Sequence, residues 1–186
     1  MEVRRNSKIL VKEKTALLVI DFQQKIIDVM QNKDLLVENT IKLIKGMKVL
    51  GVPIFLTEQY PKGLGNTIDE IKSEIGTEAI EKMSFSCSGA GDLFKTLIDK
   101  NISQVVVCGI ESHVCVQQTV LDLIENGFQV NVAADAVSSR KQFDLKIALE
   151  RMRANKAEIT TTESILFELL NICGTDKFKS IIKIIK

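Results

Sequence analysis

A chain of 186 residues carrying a formal net charge of +1 can bury a full core and shows no basic footprint for nucleic acid. Its 45% hydrophobic and 26% charged residues are ordinary for a globular protein, and no apolar run approaches the ~20 residues of a membrane span. The opening stretch MEVRRNSKILVKEKT is charged and lacks the apolar centre of a signal peptide, so the sequence reads as one cytoplasmic domain over residues 1–186. Thiols stay reduced in that compartment, and Cys87, Cys108, Cys115 and Cys173 form no CxxC pair, which argues against both a disulfide framework and a zinc site.

Short apolar, β-branched runs recur along the chain. TALLVID (Thr15–Asp21), PIFLTEQ (Pro53–Gln59), AIEKMSF (Ala79–Phe85), QVVVCGI (Gln104–Ile110) and FQVNVAAD (Phe128–Asp135) read as strands, most of them buried on both faces. EITTT (Glu158–Thr162) reads as a last, edge-like strand. Helical patterns lie between and after them. KDLLVENTIKLIKGMKVLG carries a stripe through Leu35, Leu36, Ile41, Leu43, Ile44, Met47 and Leu50 and stops at Gly51. AGDLFKTLIDKN, VCVQQTVLDLIENG, FDLKIALERMRAN, SILFELLNICG and KFKSIIKIIK follow, with Cys173 expected on an apolar helix face. This alternation predicts the α/β class, a three-layer α/β/α Rossmann-like domain with a mainly parallel six-stranded sheet. EQYPKGLGNT (Glu58–Thr67) is the longest irregular piece.

Open parallel sheets bind ligands at the carboxyl ends of their strands. That rule selects Asp21 and Phe22, Glu58 to Tyr60, Lys82 to Phe85, Glu111 to Cys115, and Asp135 to Arg140. Phe22, Gln59, Tyr60, Phe85 and Ser139 are the expected substrate-pocket residues on this ground.

Cys115 falls at the start of a helical pattern, where unpaired N–H groups and the helix dipole favour a thiolate; a small buried apolar residue is the alternative. Asp21 closes an apolar strand, where partial desolvation suits a proton acceptor; the alternative is a turn aspartate. Lys82 lies at an inner strand end, costly unless paired with a carboxylate such as Asp21; the alternative is an edge lysine facing water. His113, the single histidine, is two residues from Cys115 and on a helix would point some 200° away, so it reads as a rim residue. Cys108 reads as strand packing, and Cys87 as pocket lining or bystander.

In this order and setting, Asp21-Phe22-Gln23, Lys82 within EKMSFS, and Cys115 within GIESHVCVQQT resemble the motifs of the isochorismatase-like cysteine hydrolases, which include the nicotinamidases. The stretch DLIENGFQVNVAADAVSSR is also similar, and the likeness runs from about Thr15 to Thr162. TEQYPKGLG and CGIESHVCVQQT look most like the isochorismatase-domain-containing subgroup with the YcaC-like proteins. The resemblance implies a catalytic triad of Asp21, Lys82 and Cys115, a thioester acyl-enzyme formed from a small-molecule amide or related acyl compound, and no cofactor. It also implies an oxyanion hole from the backbone of Glu111 and Cys115, a cis peptide at Ile110–Glu111, and a homo-oligomer. The metal-binding nicotinamidases carry histidines after the second strand; LTEQYPKGLGNT has none, so no metal is expected. Two other readings stay open: a binding or scaffold protein on the same fold, and a flavodoxin-like nucleotide binder. DFQQK after the first strand offers the last no Gly-rich phosphate cradle.

Overall fold

A computed structural model describes residues 4–186. Its sheet has six strands, β1 (Thr15–Ile20), β2 (Ile54–Gln59), β3 (Ile80–Lys82), β4 (Gln104–Ile110), β5 (Gln129–Ser138) and β6 (Glu158–Thr160), in the order β3-β2-β1-β4-β5-β6. Every pairing is parallel. The chain runs outward from β1 to β3, then returns to the other side of β1 to lay down β4. The strand order therefore reverses between β1 and β4, where a crevice opens at their carboxyl ends.

The helices are α1 (Gln24–Ile27), α2 (Lys33–Leu50), α3 (Pro61–Leu64), α4 (Asp69–Ile75), α5 (Leu93–Asp99), α6 (Gln117–Glu125), α7 (Gln142–Ala154), α8 (Thr162–Leu170) and α9 (Asp176–Ile185). They cover both faces of the sheet, giving the three layers. The period-2 alternation of β1 shows how: Leu17 and Val19 join Leu43, Ile44 and Met47 of α2 and Leu166 of α8 in one core. Ala16, Leu18 and Ile20 join Leu97 of α5, Val120 of α6 and Met152 of α7 in the other. All six residues of β1 and all seven of β4 are buried, as inner strands of a parallel sheet require. α2 ends where Gly51, at φ 78°, takes the left-handed turn that a Cβ would disfavour.

The structure departs from the sequence expectation at several ends. β3 is three residues long rather than seven, because the chain folds back after Lys82 and presents the Ser84 and Phe85 carbonyls to its ammonium. β5 runs on to Ser138, with a register irregularity opposite Val107–Gly109. The irregular stretch after β2 contains the short α3, entered through Tyr60 in the left-handed region. Leu35 is exposed, off the buried stripe of α2. α8 stops at Leu170, so Cys173 lies exposed in the link to α9 and not on an apolar helix face.

Candidate active site

β1 ends abruptly. Asp21 has φ 56°, and this turn directs its carboxylate toward β2 and β3. Asp21 Oδ2 accepts a 2.6 Å hydrogen bond from Lys82 Nζ, and Oδ1 accepts one of 2.8 Å from Thr57 Oγ1. The Lys82 and Asp21 side chains are 0% and 1% exposed. The remaining donors of the ammonium go to the carbonyls of Ser84 and Phe85, at 3.2 and 3.0 Å. A buried ion pair is tolerated when its charges are fully hydrogen-bonded, and this one is. β3 is an edge strand of the sheet and not the inner strand expected for Lys82, yet the lysine turns inward to Asp21 and not to water, and Asp21 is more than a turn residue.

Cys115 reaches the same place from β4. The Ile110–Glu111 peptide is cis, and Ser112–Val116 form a π-helical turn ahead of α6. Single π turns inserted in helices recur at functional sites. Thr119 Oγ1 donates to the Cys115 carbonyl at 2.7 Å and accepts from the Cys87 N–H at 2.9 Å, joining the turn to the loop after β3. Cys115 is 4% exposed, and its thiol donates to Gln59 Oε1 at 3.1 Å. Burial pushes this thiol well above its ordinary range and the neighbouring Asp21 carboxylate adds to the effect, while Lys82 opposes it. A hydrogen bond with Asp21 raises it further, so desolvation and Asp21 work against the thiolate that the helix start was expected to favour.

The other cysteines differ in kind. Burial lifts Cys87 to about 11, with Asp21 adding to the rise and Lys82, Thr119 and Thr57 opposing it. Cys108 is fully buried in β4, and burial raises it further. His113 does not pair with Cys115. Its Nδ1 lies 3.0 Å from Ser139 Oγ, and its Nε2 is 4.0 Å from Asp144 Oδ2.

A cavity of about 490 Å³ opens over Cys115. Gln59, Tyr60, Phe85, Glu111 and Cys115 line it, together with Ile110 and Val114. α1 and its flanks add Lys25, Ile26 and Val29, while Arg140 closes another side. Glu111 accepts from Arg140 through both the backbone N–H, at 3.1 Å, and Nε, at 3.0 Å. Two expected pocket residues are elsewhere. Phe22 is 0% exposed: the turn at Asp21 sends its ring into the core beneath α2. Ser139 is likewise 0% exposed, holding His113 with its hydroxyl and the Gln31 N–H with its carbonyl. Among the described residues, no three His, Cys, Asp or Glu side chains cluster as metal ligands would.

The model of the Isochorismatase domain matches residues 15–164. The chain belongs to the isochorismatase family. Isochorismatase family protein 1B of Dictyostelium discoideum is 40% identical over 182 residues, spanning 95% of this chain and 88% of that one. The MAR1 ribonuclease of Caenorhabditis elegans is 34% identical, with a TM-score of 0.88 over 95% of this chain and 91% of that one. The Escherichia coli YcaC gene product, described as an octameric hydrolase of unknown specificity, superposes with a TM-score of 0.90 at 22% identity, over 97% and 91%. The all-parallel six-stranded α/β architecture is thus that of isochorismatase-family structures.

Within this isochorismatase frame, the sequence reading missed Thr57 and the pocket contributions of Lys25, Ile26, Val29 and Arg140. Thr57 carried a signal, since a hydroxyl in an inner strand needs a buried partner. The α1 residues carried none: a four-residue helix has too little pattern to read.

Proposed function

We propose that the protein is a cysteine-dependent hydrolase of small-molecule amides or related acyl compounds, acting through Asp21, Lys82 and Cys115. The observation that carries this reading is a fully buried Asp21–Lys82 pair beside a thiol on the floor of a largely apolar cavity. A carboxylate held by a cation but next to a protonated thiol is placed to accept its proton when a substrate arrives. The thiolate then attacks the carbonyl carbon. Backbone N–H groups of Glu111 and Cys115, both at the cavity wall, hold the oxyanion. The proton on Asp21 passes to the leaving nitrogen, the C–N bond breaks and ammonia or an amine departs. Asp21 takes a proton from water, hydroxide attacks the thioester, and the acid is released as the thiol reforms. No step needs a cofactor or a metal.

A homo-oligomer in the cytoplasm completes the reading: the YcaC neighbour is octameric, and four free cysteines suit a reducing compartment. No helix among the described residues is long and apolar enough to cross a membrane.

The test is a panel of primary amides with ammonia detection and mass spectrometry of the trapped acyl-enzyme, with Cys115→Ala as control. Turnover that survives Cys115→Ala removes the covalent mechanism; binding without turnover by the wild type identifies a scaffold. A labelled RNA belongs in the panel, because the C. elegans neighbour is named a ribonuclease. The largely apolar cavity and the net charge of +1 favour a small neutral substrate over a polyanion.

A further inference from the structure

We infer that Gln59 is the resting partner of the nucleophile, holding the Cys115 proton away from Asp21 until a substrate N–H replaces it, and that Gln23 is the residue that positions Gln59. This rests on the proposed hydrolase reading for its consequence in turnover, but its geometry stands alone.

Gln59 is the last residue of β2. On one side it pairs with Lys82 of β3, and the next N–H, of Tyr60, donates to the Lys82 carbonyl at 2.9 Å. On the other side it should pair with β1, but β1 has ended at Ile20 and the chain has turned at Asp21. The side chain of Gln23 fills the gap. Its Oε1 accepts from the Gln59 N–H at 2.8 Å, and its Nε2 donates to the Gln59 carbonyl at 2.9 Å and to the Gly65 carbonyl at 2.7 Å. A carboxamide carries the same donor and acceptor as a peptide, so Gln23 serves as a strand neighbour made from a side chain. It is 0% exposed.

With its backbone held on both sides, Gln59 has one direction to point. Residues 57 and 59 of a strand share a face. Thr57 touches Asp21, and Gln59 Oε1 receives the Cys115 thiol. The Cys115 sulfur lies within hydrogen-bond reach of both Gln59 Oε1 and the Asp21 carboxylate, and a thiol has one hydrogen to give. While that hydrogen is on Gln59 it is not on Asp21, so the thiol must turn before the proton can transfer. A substrate amide N–H entering the cavity can take the freed Gln59 Oε1; an ester has no such donor.

The experiment measures alkylation of Cys115 by iodoacetamide in the native protein, read by mass spectrometry of its peptide at pH 7.5. Gln59→Leu, which removes the acceptor, is expected to react at least threefold faster than wild type, and Gln23→Met to follow it. Gln59→Glu, which keeps an acceptor, is expected to react no faster than wild type. Gln59→Met replaces the leucine variant if that does not fold. Alkylation of Gln59→Leu that is unchanged or slower overturns the proposal, the slower result meaning that Gln59 donates to a thiolate instead. Because alkylation is read without turnover, this failure is separate from that of the hydrolase reading, which falls if Cys115→Ala still releases ammonia.

Discussion

Lys82 Nζ lies 2.6 Å from Asp21 Oδ2, across 61 positions of sequence and out of contact with water. Neither residue is stable there without the other. Removing one partner of a buried pair leaves an uncompensated charge and costs about 3–5 kcal/mol, whereas an apolar pair of similar volume can be neutral. Lys82→Met and Asp21→Leu are each expected to lower stability by about that amount in urea titrations, and the double variant to recover much of it. All three are expected to abolish turnover. If the double variant is as unstable as the sum of the singles, the two side chains do not act as a pair.

The fold was legible because its signals are local. Inner strands such as β1 and β4 are buried on both faces and read as unbroken apolar runs. Asp21, Lys82 and Cys115 were legible because strand ends at a switch point converge. Gln23 and Thr57 were harder, because their importance comes from gaps in neighbouring elements that no window of sequence contains. Phe22 and Ser139 were misplaced for the converse reason. The strand-end rule locates the Cα atom, but the left-handed turn at Asp21 and the hydrogen bond to His113 decide where those side chains go.

Gly109 is the close approach between β1 and β4 beside the candidate site. It has φ 142° and pairs with Ile20, the residue before Asp21. A Cβ added there would be driven into the Ile20 carbonyl oxygen and would lie 2.6 Å from the Ile20 Cβ. Backbone, not a flexible side chain, would have to move. Gly109→Ala is expected to destabilise by about 3 kcal/mol, combining backbone strain with overpacking. Because the forced shift separates Asp21 from Glu111, turnover is expected to fall at temperatures where the variant remains folded. A stability change under about 1 kcal/mol would mean that β1 and β4 can separate without cost.

The buried thiols couple stability to pH. Cys87, Cys108 and Cys115 each titrate above the ordinary value of 9.0 in the folded chain, primarily because burial disfavours their thiolates. Above pH 9 the unfolded chain releases these protons and the native state keeps them. The native state then binds more protons than the unfolded one, so stability falls as pH rises. Each thiol contributes a slope of about 1.4 kcal/mol per pH unit, and Cys87 ceases to contribute beyond about 11. Below pH 9 all three are protonated in both states and contribute no slope. Urea midpoints measured between pH 8 and 10.5 are expected to decline in the upper part of the range. Cys108→Ala, remote from the cavity, is expected to lose about a third of the thiol-dependent slope while starting from a lower stability at pH 8. An unchanged slope in that variant would mean that the native β4 thiol ionises as readily as in the unfolded chain.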